Sequence, residues 1–131
     1  MIWFSNFIVF GNANAEYGMS EEISSKGDVY SFGVLLLQMI TGYSPTDEKL
    51  PEGLSLHEFV DRALAQNILD VVDPTMLQDD SNATYIINNC VITLVRIGLS
   101  CSMTSPKERP DMGQVCTEIL RIKHMASDMG L

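Results

Sequence analysis

The residues with the widest chemical range in this 131-residue chain are two histidines, His57 and His124, and three cysteines, Cys90, Cys101 and Cys116. A structural zinc centre draws four such ligands from short paired spacings. No C-x-x-C pair occurs, and neither histidine completes a usual zinc spacing. All three cysteines fall inside apolar helical patterns, which reads as buried free thiols in a reducing compartment. Nucleophilic catalysis needs a hydroxyl or thiol, a base and an orienting acid. The Ser, His and Asp residues here form no triad recognisable from sequence, and His57 is expected on a helix surface. The triplet Asn82-Ala83-Thr84 is a glycosylation sequon, relevant only to a secreted chain.

Charge narrows the partners. The chain has 17 acids and 8 bases, net −9. Nucleic-acid binding requires clustered Lys and Arg to neutralise phosphates, and no such cluster is present. Residues 47–80 alone are net −7, an acidic segment that an anionic membrane face would repel. A hydrophobic fraction of 46% is enough to build a core. The first ten residues, MIWFSNFIVF, are apolar but too short to span a bilayer, which needs about 20 apolar residues. They also lack the basic start of a signal peptide. Residues 1–13 are therefore set apart as an apolar leader, and no transmembrane span is expected.

Four helices must position whatever chemistry the chain has. The first is expected from Asp28 to Thr41, with Ser25 and Asp28 spaced as a capping box and Gly42 and Pro45 marking its end. Its apolar residues cover nearly every face, as in a central buried helix. The second is expected from Leu56 to Gln66, capped by Ser55 with Glu58 three residues on. The third is expected from Cys90 to Met103, capped by Asn88 or Asn89. Gly98 lies in its apolar stripe and points to close helix packing. The fourth is expected from Met112 to His124, with Asp111 as cap, Gln114 at the box position, and Lys123 and His124 in the last turn. The fold class is mainly α.

The order of motifs is more specific than any of them singly. EYGMSEEISSKGDVYSFGVLLLQMITG is followed by SPTDE, then SLHEFV, then CSMTSPKERPDMGQV. Over about residues 14–124 this resembles the carboxy-terminal lobe of plant leucine-rich-repeat receptor-like serine/threonine protein kinases. The resemblance implies a partial domain, the helical lobe of the protein kinase-like fold, with residues 125–131 as a tail. Asn14-Ala15-Glu16 stands where that family has Ala-Pro-Glu, and only Glu16 matches. Asp28 and Gly33 match the D-x-x-x-x-G of the central helix. Arg109 matches the arginine that pairs with the glutamate at the position of Glu16. The resemblance thus implies a Glu16–Arg109 ion pair and, for Asp28, hydrogen bonds from the catalytic-loop backbone.

The departures matter as much. The family uses a glycine-rich loop, a strand lysine, an H-R-D loop and a D-F-G aspartate to hold ATP and magnesium and to take the hydroxyl proton. None is present. Asp111-Met112-Gly113 and Asp128-Met129-Gly130 fall after the Ala-Pro-Glu position and read as a helix cap and a frayed tail. No catalytic, ATP-binding or metal-binding residue is assigned, and no cofactor is expected in this chain, although the family uses ATP and magnesium. The expectation is a fragment of a receptor-like kinase, inactive by itself, located like its family on the cytoplasmic side of the plasma membrane. The alternative is a non-catalytic interaction module that binds a protein partner through the Leu56–Gln66 helix and the acidic segment 47–80.

Overall fold

The computed structural model describes residues 25–74 and 81–128. Among these, the α-helices are α1 (Lys26–Thr41), α2 (Leu56–Ala65), α3 (Ser81–Cys101) and α4 (Met112–Asp128), with short 3-10 turns at Ile68–Asp70 and Pro106–Glu108. No strand occurs among the described residues. The apolar leader and Glu16 lie outside them.

The helix boundaries follow local capping chemistry. At α1 the Ser25 hydroxyl accepts the Asp28 N–H at 3.2 Å, so the helix opens at Lys26, two residues before the expected start. Gly42 ends it in the left-handed region at φ +77°, where its N–H reaches the Gln38 carbonyl at 2.8 Å. At α2 the Ser55 hydroxyl accepts the Glu58 N–H at 3.1 Å and donates to the Glu58 carboxylate at 3.2 Å. At α4 the box is reciprocal. Asp111 accepts the Gln114 N–H and the Gln114 amide oxygen accepts the Asp111 N–H, both at 2.9 Å.

Helices α3 and α4 also depart from their expected bounds. Helix α3 begins at Ser81, so Asn88 and Asn89 lie inside it instead of capping it. The largely polar start Ser81-Asn82-Ala83-Thr84 carries no apolar stripe, and Asn88-Asn89 interrupts the pattern after Tyr85-Ile86-Ile87, so periodicity did not register that part of the helix. Helix α4 runs on to Asp128 with Ala126 only 2% exposed, which puts Lys123 and His124 a turn before its end.

The core is built where α1 packs along α3, with α4 and α2 adding to it. Val29, Leu36, Leu37 and Ile40 of α1 meet a cluster that includes Val91, Leu94 and Val95 of α3 and Val115, Ile119 and Ile122 of α4. Each such side chain contributes roughly 1.5–3 kcal/mol on burial. Helix α1 is not buried on all sides: Tyr30 and Leu35 are 41% and 42% exposed. Its buried residues fall on the stripe that packs chiefly on α3.

The α1–α3 approach is set by two glycines. A Cβ built on Gly33 would lie 2.6 Å from the Cys101 Cβ and 2.9 Å from both the Gly98 carbonyl oxygen and the Ser102 nitrogen. A Cβ on Gly98 would lie 2.7 Å from Leu37 Cδ2. The first set of contacts is largely backbone and cannot move aside; the second is the end of a flexible side chain. Gly33→Ala is therefore expected to destabilise the fold by about 1–3 kcal/mol through overpacking. In Gly98→Ala, a smaller clash is offset by up to about 1 kcal/mol of helix propensity. Urea unfolding of both variants checks this order, and a Gly33→Ala chain as stable as the parent would refute it.

Candidate functional site

Arg109 follows the Pro106–Glu108 turn, in the segment that joins α3 to α4. Its guanidinium gathers backbone carbonyls from two elements. Nε donates to the Met103 oxygen at 2.7 Å, Nη2 to the Thr104 oxygen at 3.2 Å, and Nη1 to the Lys26 oxygen at 2.9 Å. The lock is reciprocal, because Lys26 Nζ donates to the Arg109 carbonyl at 2.7 Å. The guanidinium also lies 4.7 Å from the centroid of the Tyr30 ring, a cation–π contact. Carbonyls just beyond the end of α3 have no intrahelical partner, and a fork of five donors suits them. Arg109 thus ties the start of α1 to the α3–α4 connection.

The other residues singled out from sequence are spread around this lock. Gly33 is buried at the α1–α3 contact, one turn along from Tyr30. Asp28 is exposed in the first turn of α1, where a negative charge suits the helix dipole. Glu16 lies outside the described residues.

One pairing had no sequence signal. His57 is not a free surface residue. It is half-buried, and its Nδ1 lies 2.7 Å from the Ser102 hydroxyl, 45 positions away. Ser102 is 3% exposed, and its Oγ donates to the Gly98 carbonyl at 2.7 Å. A serine hydroxyl has one proton. With that proton on Gly98, His57 must donate from Nδ1–H. This is the reverse of the polarity that activates a nucleophile, in which the imidazole takes the serine proton. The pair instead pins the first turn of α2 to the end of α3. It lines a cleft of 530 Å³ beside Tyr30, Val34, Leu37 and Glu58, whose lining contains no Lys or Arg.

The three cysteines are free thiols, all buried. Burial pushes Cys101 up to about 12 and raises Cys90 and Cys116, the last opposed by a backbone hydrogen bond. Thiolates, the reactive form, are therefore suppressed. Among the described residues no group of three or more His, Cys, Asp or Glu side chains is placed to hold a metal ion.

Two outcomes are expected. Arg109→Ala loses three charge-assisted hydrogen bonds at a half-exposed site and destabilises by roughly 2–4 kcal/mol. Arg109→Lys recovers little, because an ammonium cannot span the same carbonyls. Thermal or urea unfolding measures both, and a lysine variant equal to the parent would contradict the fork geometry. An aromatic disulfide reagent at pH 8 is expected to react slowly with the folded chain and rapidly with all three thiols in denaturant. On the alkaline side, stability falls as the pH rises from 9.0 towards about 12, because the unfolded Cys101 ionises first. Rapid labelling of the native chain would contradict the burial.

A family model described as protein tyrosine and serine/threonine kinase matches residues 13–119. The chain is 35% identical over 127 residues to the receptor kinase-like protein Xa21 of Oryza sativa subsp. japonica, an alignment covering 91% of this chain and 12% of that protein. It is 38% identical over 114 residues to the receptor-like protein kinase At3g47110 of Arabidopsis thaliana, covering 86% of this chain and 11% of the relative. It is 36% identical over 113 residues to the LRR receptor-like serine/threonine-protein kinase At3g47570 of the same plant, with 86% and 11% covered. The chain therefore spans about a tenth of the length of these relatives. The capped helices, the glycine contact and the arginine lock make up a helical carboxy-terminal lobe of a kinase domain, and the chain belongs to the protein tyrosine and serine/threonine kinase family.

Proposed function

We propose that the protein to which this lobe belongs is a receptor-like serine/threonine kinase that works on the cytoplasmic side of the plasma membrane, and that the chain by itself transfers no phosphate. The names and alignments of its relatives support the first part. The chemistry of the described side chains supports the second. Phosphoryl transfer depends on positioning and on neutralising the γ-phosphate charge. The family's cofactors are ATP and magnesium, and the described residues do not fit them. The cleft beside α1 offers one carboxylate, Glu58, and no Lys or Arg for a triphosphate. Its one buried hydroxyl, on Ser102, has its proton committed to Gly98. Asp28, which in the family serves the catalytic loop, stands exposed at the helix start. No helix among the described residues is long and apolar enough to cross a membrane.

A second reading is that the lobe serves as a protein-docking module through α2 and the acidic segment beside it. The cleft along the first turn of α2 favours it, because His57 and Ser102 hold that turn rigidly against α3. The exposed positions of α2 include Glu58, Asp61 and Arg62.

For the purified chain, the melting temperature is expected to be unchanged by Mg-ATP, and no labelled phosphate should pass to a generic serine substrate. Stoichiometric nucleotide binding or phosphotransfer would overturn the proposal. For the docking reading, Asp61→Lys is expected to weaken capture of a partner by the lobe while leaving the fold intact.

A further inference from the structure

We propose that the cleft between α3 and α4 docks an acidic, apolar peptide segment of a partner protein, with Arg96 as its anion-binding group. The cleft has a volume of 430 Å³ and shares no lining residue with the His57 cleft. The argument starts from α3. This 21-residue helix carries a single charged residue, Arg96. No acid stands one turn before or after it, where Ile92, Thr93, Leu99 and Ser100 lie, so the helix cannot pair it internally. Arg96 is exposed and has no hydrogen-bond or ion-pair partner among the described residues.

Across the cleft stands Arg121 of α4, paired at 2.5 Å with Glu118. That carboxylate offsets one guanidinium, and the cleft keeps a net positive charge on a chain of net −9. Ile97, Pro110 and Val115 give the same cleft an apolar share of its lining, with Ile97 at 8% and Val115 at 2% exposure. A guanidinium with no partner among the described residues, beside apolar side chains, matches a carboxylate flanked by aliphatic side chains. The guanidinium takes the carboxylate in a bidentate pair, and the apolar side chains take the aliphatic neighbours. Charge complementarity also excludes a basic segment.

The test is fluorescence anisotropy on the full chain with a short fluorescein-labelled peptide of alternating Glu and Leu, and a Lys/Leu peptide of the same length as counterpart. The Glu/Leu peptide is expected to bind saturably and in an Arg96-dependent way, whereas any Lys/Leu binding, through the acidic segment 47–80, should be the same in Arg96→Ala. Arg96→Ala should weaken binding by about ten-fold or more, the loss typical of one charge-assisted pair. Arg96→Lys, which keeps the charge but not the fork, should fall between. Far-UV circular dichroism confirms that both variants fold. Three results would overturn the proposal: no binding of the Glu/Leu peptide, Arg96→Ala binding it like the parent, or Arg62→Ala on α2 weakening it equally.

Discussion

The close approach of α1 and α3 is the constraint on which the rest of the lobe depends. Gly33 and Gly98 remove two side chains where the helices cross, so each backbone meets the other's residues directly. That proximity seats Leu37 over Gly98 and brings Cys101 under Gly33, and it gives α3 a face of Cys90, Val91, Leu94 and Val95 with almost no solvent exposure. Close packing of this kind resists even a single added methyl, because interiors are filled to near crystal density. The cost is two glycines in helix interiors, each about 1 kcal/mol less favourable than alanine. Packing around the crossing offsets it.

The polar contacts then fix what hangs from that crossing. Ser102 follows the last residue of α3, and its hydroxyl bonds back to the Gly98 carbonyl and receives His57 from α2. Asp73 donates its N–H to the Ile40 carbonyl at 2.8 Å, which ties the segment after α2 to the end of α1. Arg109 closes the opposite end by holding Lys26, Met103 and Thr104 together. Each bond links elements that the α1–α3 crossing has already brought close. None places an acid, a base and a nucleophile in a productive order, so this polar network reads as architecture.

How much of this could be read from the chain depended on range. The caps at Ser25, Ser55 and Asp111 and the stop at Gly42 were legible because a cap is settled within four residues. Gly98 was legible as a packing glycine because it interrupts an apolar stripe. The first turns of α3 were not, since the largely polar stretch 81–84 carries no period and Asn88 and Asn89 are themselves favoured caps. The His57–Ser102 bond joins residues 45 apart and left no local trace. Arg109 was singled out by the kinase resemblance as a partner for Glu16, which lies outside the described residues. The carbonyl partners of Arg109 were not legible, because any backbone oxygen looks alike in a sequence.

The central claim is that these residues form an ordered kinase lobe organised by the α1–α3 crossing. Native-state hydrogen exchange on the full chain tests it most directly. The account predicts that the amides of Leu36, Leu37, Leu94 and Val95 exchange slowest, and together, as the part of the chain that opens only on global unfolding. Uniformly weak protection across α1 and α3, or a slowest core located in α2 or α4, would contradict it.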